Sequence, residues 1–313
     1  MRILVAGAGG VVGRALLPVL IARGHSVAGM VRSGASAAVI ADLGAEPIVG
    51  DALDSTFVAE HFKRLRPEAV IHQLTALPVT TDLRAFDRLF AQTNLLRTKG
   101  TDNLVAASRD TGVRRFVAQS FCGWPYARTG GPIKTEDDPL DPDPPAAFRG
   151  TLEALRYLEG AIEAAHGLGG VNLRYGGFYG PGTVLSQDGA MVDQVCRRRF
   201  PIIGNGGGVW SFIHMTDVAN ATLAAVESDA VGTFNVVDDE PAPVSEWLPY
   251  LADVMDSKPP MRIPAMLARL ILPEHLMVMM SSVRGGSNAR FKRLFDWKPA
   301  FSTWRDGFRQ GLG

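Results

Sequence analysis

Four glycines crowd one short stretch near the start of the chain, Gly7-Ala8-Gly9-Gly10-Val11-Val12-Gly13. They stand between an apolar run, Ile3-Leu4-Val5-Ala6, and a segment in which Val12, Ala15, Leu16, Val19 and Leu20 recur at helical spacing. A turn in that position brings backbone N–H groups up to an anion, and the following helix points its positive end at it. The run reads with glycines at 7, 9 and 13 or at 7, 10 and 13. Either spacing predicts a cradle for a dinucleotide pyrophosphate, lined by Gly7, Gly10, Val11, Val12 and Gly13.

After the second apolar run, Ser26–Val31, an acidic residue would bond the adenosine ribose 2′-hydroxyl. Arg32 and Ser33 stand there instead. A guanidinium and a hydroxyl suit a 2′-phosphate, so NADP is the expected cofactor and NAD the alternative. Farther on, Val49-Gly50-Asp51-Ala52-Leu53 offers the Asp51 carboxylate to an adenine amino group, or as the N-cap of a helix starting near Ser55.

These groups need a scaffold, and the pattern of the chain supplies one. Strand-like runs at 3–6, 26–31, 46–50, 69–73, 115–119 and 171–174 alternate with helical periodicity at 11–22 and 35–43 and through 95–107. Regular alternation means right-handed crossovers and a parallel sheet covered on both faces. The expected fold is α/β, a Rossmann doubly wound parallel sheet with a smaller C-terminal substrate lobe. Residues 1–178 would form the NAD(P)-binding domain, its sheet completed by about 211–240, and 179–313 mainly the substrate-binding lobe. The proline- and aspartate-rich stretch 136–145 reads as a surface loop. The apolar stretch 263–280 is broken by Arg269, Pro273, Glu274 and His275 and reads as a helix pair closing over a pocket.

Composition narrows the function. The 313 residues carry 32 Lys and Arg against 32 Asp and Glu, a net charge of zero. Such a balance provides no field for nucleic acid or an anionic membrane, so a small-molecule substrate is the expected partner. Cys122 and Cys196 have neither metal-ligand nor disulfide spacing, no metal site stands out, and a cytoplasmic location is expected.

Taken in order, the glycine turn and several further motifs resemble the extended short-chain dehydrogenase/reductase family, also called the NAD-dependent epimerase/dehydratase family. They are Gly50-Asp51-Ala52-Leu53, Val70-Ile71-His72-Gln73-Leu74-Thr75-Ala76, Gly100-Thr101-Asp102-Asn103-Leu104, Arg115-Phe116-Val117-Ala118-Gln119-Ser120, the turn Leu173-Arg174-Tyr175-Gly176-Gly177-Phe178-Tyr179-Gly180-Pro181-Gly182, and Phe212-Ile213-His214-Met215-Thr216-Asp217-Val218-Ala219. The resemblance implies cofactor contacts at Leu74, Thr75, Gln119, Tyr175 and Phe178, and a homodimer seam along 95–107 and 150–165. It also implies a Tyr-x-x-x-Lys pair on one helix. The family's spacing puts that pair on Phe148 and Leu152, and no Tyr-x-x-x-Lys occurs anywhere in the chain. Where nucleotide-sugar enzymes of the family carry an arginine for the diphosphate, Trp210-Ser211 precede Phe212.

The expected activity is therefore NAD(P)-dependent hydride transfer of an atypical kind, on a small, fairly apolar carbonyl, alcohol or activated alkene. The alternatives are an epimerase or dehydratase retaining its cofactor, and a non-catalytic NADP-binding sensor. Ser120 and Tyr126 are the candidate catalytic groups. Phe121, Trp124, Phe148, Arg149, Tyr179 and Trp210 are the candidate walls of the substrate pocket.

Overall fold

The computed structural model describes residues 1–77 and 83–313. Seven strands form one sheet: β1 (Arg2–Ala6), β2 (Ser26–Val31), β3 (Glu46–Val49), β4 (Ala69–His72), β5 (Arg115–Phe121), β6 (Gly170–Tyr175) and β7 (Gly232–Val236). All neighbours pair in parallel, in the order β7-β6-β5-β4-β1-β2-β3. The order reverses between β1 and β4, so the crevice beyond the carboxyl ends of those strands is the topological switch point where such sheets bind ligands.

The central strands are apolar because both faces are covered. Along β1, Ile3 and Val5 pack to one side, and Leu4 and Ala6 to the other. The first side is closed by α1 (Val11–Ala22) and α7 (Met215–Glu227), the second by α3 (Ser55–Leu65), α5 (Thr101–Thr111) and α6 (Ala146–Glu163). In α6 the buried residues Phe148, Thr151, Leu152, Leu155, Leu158 and Ile162 recur at three- and four-residue intervals, the stripe expected of a helix lying on a sheet. The expected long helix through 95–107 runs instead from α4 (Phe86–Leu95) through a π-helical turn, Leu96–Gly100, into α5.

Residues after Tyr179 build a third apolar core around Trp247, Trp304, Phe212 and Phe308. Helices Ala265–Ala268 and Glu274–Ser281 occupy the apolar stretch read as a helix pair. Among the described residues no helix is long and apolar enough to cross a membrane.

Candidate active site

The glycines of the first turn are dictated by backbone and space. Gly7 has φ +91°, and a Cβ there would lie 2.5 Å from the Gln73 carbonyl oxygen. At Gly13 a Cβ would meet the Ala8 carbonyl oxygen at 2.4 Å, so only glycine lets α1 approach β1 this closely. Gly10 is the N-cap of α1 and brings no side-chain cap to the helix. The amides of Val11, Val12 and Gly13 belong to that uncapped first turn, which suits a phosphate anion. The turn Gly180-Pro181-Gly182 reaches back here, with a Cβ on Gly182 falling 3.6 Å from Val11 Cγ1.

Beside the cradle, Arg32 is exposed and makes no ion pair among the described residues. Ser33 serves as the N-cap of the helix Gly34–Asp42, accepting from the Ser36 amide at 3.2 Å. Asp51 is not the cap of α3; Asp54 is, accepting from Thr56 and Phe57. Asp51 instead closes a short turn by accepting from the Leu53 amide at 2.9 Å, and Ala52 beside it is buried, its carbonyl taking a bond from Asn103.

At the other end of the crevice, Leu74 and Thr75 follow β4 half-buried, and Gln119 and Phe121 are half-buried near the end of β5. The intervening Ser120, expected as a catalytic group, has its hydroxyl tied up inside the protein. It is buried and donates to Glu159 Oε1 at 2.6 Å. The same carboxylate takes two bonds from Arg174, Nε to Oε1 at 2.7 Å and Nη2 to Oε2 at 2.6 Å. Tyr126, also expected as catalytic, is tied up likewise: fully buried, it donates to Asn235 Oδ1 at 2.7 Å and accepts from Arg174 Nη1 at 3.0 Å. Both hydroxyls belong to a buried network that ties α6, β5, β6 and β7 together. Burial first and Cys122 second raise the Tyr126 phenol well above its ordinary range, while the Arg174 charge and the bonds to Arg174 and Asn235 pull it partly back.

Three more expectations are corrected. Tyr175 faces the core, its hydroxyl bonded to Thr222 at 2.6 Å, so no phenol reaches the crevice. Tyr179 is buried in the C-terminal core against His214 and Phe308. Arg149 is exposed on the outer face of α6, 3.7 Å from Asp143. Phe178 is half-buried and packs on Tyr175.

The remaining aromatic residues do converge. Trp124 lies 4.5 Å from Phe148 and 6.3 Å from Phe121, ring centre to ring centre. Phe148 is also 4.7 Å from Phe86 and 5.5 Å from His275. Next to this cluster a cavity of about 70 Å³ is lined by Phe121, Trp124, Gly177, Trp210, Met279 and Val283, among others. Trp210 is fixed there by donating its indole N–H to the Met279 carbonyl at 2.9 Å. Phe86, His275, Met279 and Val283 escaped the sequence reading. They come from segments far apart in the chain, and nothing local distinguishes them from ordinary core residues.

The sequence model of the NAD dependent epimerase/dehydratase family matches residues 3–237. The chain belongs to that family, and it is an NAD(P)-dependent oxidoreductase. It is 44% identical over 308 residues, 98% of this chain and 99% of the other, to a 3-diazoavenalumate denitrifying reductase of a Streptomyces species. Similarity extends, at 29% identity over 268 residues, covering 82% of this chain and 74% of the other, to a 4-hydroxy-2-methyl-3-oxo-4-farnesyl-3,4-dihydroquinoline-1-oxide ketoreductase of Stigmatella aurantiaca. Among solved structures, UDP-glucose 4-epimerase of Thermotoga maritima shares the fold with a TM-score of 0.78 at 21% identity, covering 100% of this chain and 97% of that one.

Proposed function

We propose that the protein is an NADP-dependent reductase that delivers hydride to an aromatic diazo compound, which then loses dinitrogen. One observation carries the reading. Where the resemblance places the family's proton-donating tyrosine, a buried phenylalanine ring stands, and the two hydroxyls read from the sequence as catalytic candidates, Ser120 and Tyr126, are held in an ion-pair network. A carbonyl accepting hydride needs a proton on oxygen. A diazonium group does not, because it is already cationic. The extensive relative named for a diazo substrate supports the same substrate class.

The residues present fit a dinucleotide: the cradle tolerates no Cβ at Gly7 or Gly13, and Arg32 makes no ion pair among the described residues that would compete with a 2′-phosphate. Gly10, Val11, Val12 and Gly13 would hold the pyrophosphate, Arg32 and Ser33 the 2′-phosphate, and Asp51 and Ala52 the adenine side. Leu74, Thr75 and Gln119 would border the nicotinamide, which supplies the hydride. Phe121, Trp124, Phe148 and Trp210 would then wall an aromatic substrate, and a ring face beside a cationic group attracts it by about 0.5–2 kcal/mol. The terminal nitrogen takes the hydride to give an aryl diazene. The diazene N–H proton passes to solvent as the carbon–nitrogen bond breaks and dinitrogen departs, and the ring carbon takes a proton from solvent in its place. The protein orients the ring, keeps water off the cation and moves no proton. Free thiols at Cys122 and Cys196 support a reducing, cytoplasmic setting.

The test is NADPH oxidation by the purified protein with an aromatic diazo acid and with a simple aryl ketone, and product analysis after incubation with UDP-glucose. The reading expects turnover with the diazo acid and none with the nucleotide sugar. Turnover of the sugar, or of the ketone alone, would overturn it.

A further inference from the structure

Among the described residues, exposed large apolar side chains are scattered along the chain, with one concentration. Met266, Leu267, Leu270 and Ile271 share the short span 266–271 and are 58–81% exposed. The span is helical. The helix Ala265–Ala268 is carried on by bonds from the Arg269 amide to the Ala265 carbonyl at 3.0 Å and from the Leu272 amide to the Ala268 carbonyl at 2.8 Å. Pro264 stands before it and Pro273 after it. Its inner side is already occupied, because Ala268 is fully buried and Leu272 packs on the core around Trp247. The four exposed side chains therefore form a second apolar face on the same turns. A helical segment apolar on both sides is expected inside a core or against a non-aqueous partner. Exposed apolar patches rimmed by polar groups mark docking surfaces.

The chain that flanks this face is basic. Lys258, Arg262 and Arg269 belong to the same stretch of sequence. Arg198 and Arg199 are brought beside it by the fold. Arg198 donates Nε to the Pro259 carbonyl at 3.1 Å, and Ile202–Ile203 pairs in parallel with Arg262–Ile263. All five cations are exposed, and none makes an ion pair among the described residues. Their neighbour Arg197 is instead taken up by Asp193 at 2.8 Å. The other carboxylates of these stretches are Asp253, Asp256 and Glu274, so five free cations stand against three acids. The whole chain is neutral, and the excess is therefore local.

We propose that this face docks on a membrane surface that carries anionic lipids. Met266, Leu267, Leu270 and Ile271 would enter the headgroup layer, and the surrounding cations would meet lipid phosphates. Apolar side chains beside basic ones match the layering of a bilayer surface, apolar below and anionic above. The span is far too short to cross a bilayer, so it lies on the surface. A second copy of the chain fits less well, because a two-fold contact would set the same positive excess against itself. None of these residues belongs to the glycine cradle or to the aromatic cluster, so docking is separable from the chemistry.

The experiment is sedimentation of the full chain with vesicles of phosphatidylcholine alone and of equal parts phosphatidylcholine and phosphatidylglycerol. Binding to the anionic vesicles is expected to be at least about tenfold tighter than to the neutral ones, and to weaken as salt screens the exposed charges. Leu270→Ser combined with Ile271→Ser should weaken it at least about tenfold. That variant should keep its melting temperature and its NADPH binding, since both side chains are mostly exposed. Arg262→Gln combined with Arg269→Gln should lose the preference for anionic vesicles. No sedimentation of the unaltered protein with anionic vesicles, or equal binding by the Leu270→Ser, Ile271→Ser variant, would overturn the proposal. Self-association abolished by those two substitutions, without any affinity for vesicles, would also overturn it and give the face to a second copy.

Discussion

Replacing Glu159 by Gln removes one negative charge from the middle of the protein while preserving shape. The carboxylate holds Arg174 through two bonds of 2.7 and 2.6 Å and Ser120 through one of 2.6 Å. Both members of the ion pair have side chains only 8% exposed, so water cannot take over. Burial alone would lower the Arg174 pKa, but its bonds to Glu159 more than offset this and raise it. Stripping the counter-charge from such a pair costs about 3–5 kcal/mol, a large part of the roughly 5–15 kcal/mol that holds a domain together. Ser120→Ala deletes one hydrogen bond to a charged group, about 1.5–3 kcal/mol. Urea unfolding followed by circular dichroism measures both, and kcat/KM under fully folded conditions is measured beside it. The expected result is lost stability with kcat/KM within about threefold of the unaltered protein, less than 1 kcal/mol in the transition state. If Ser120→Ala instead kept its stability and lost turnover about a hundredfold, roughly 2.7 kcal/mol, Ser120 would be acting on substrate and the network account would fail.

Further outcomes follow from the same geometry. Gly7→Ala should abolish NAD(P)H binding by fluorescence titration, because the turn at φ +91° has a carbonyl 2.5 Å from the new Cβ. Arg32→Ala should weaken NADPH about tenfold or more and leave NADH unchanged; equal effects on both would remove the 2′-phosphate role. His72 should make stability fall as acid is added. Burial first and the Arg97 charge second hold its folded pKa at about 4 against 6.5 when free, so the neutral form contributes fully above pH 6.5 and is lost as pH falls toward 4. The shift corresponds to about 3 kcal/mol, checked by comparing pH-dependent unfolding with a His72→Gln variant.

The scaffold could be read from the chain because its signals are local. Most of the seven sheet strands are short, largely apolar runs bounded by turn residues, and the glycines at 7 and 13 answer steric demands within one turn. The candidate site was legible only in part. Ser120 ends a strand at the right edge of the sheet, but its bond to Glu159 spans 39 residues and no spacing rule announces it. Tyr126 reads as a loop residue until the fold brings Asn235 to its hydroxyl, 109 residues away in the chain. The aromatic cluster combines Trp124 and Phe148 with Phe86 and His275, a meeting of four segments that only the tertiary structure brings about.

The central claim is hydride transfer to a cationic nitrogen without a protein acid. It is tested most directly by incubating the protein with NADPH and an isotope-labelled aryl diazonium acid, then measuring cofactor oxidation, labelled dinitrogen and the deaminated arene together. The account predicts that the three amounts agree one for one, and that Ser120→Ala and Tyr126→Phe leave the ratio unchanged. NADPH oxidation with the nitrogen retained as a hydrazine, or dinitrogen released without cofactor oxidation, would contradict it.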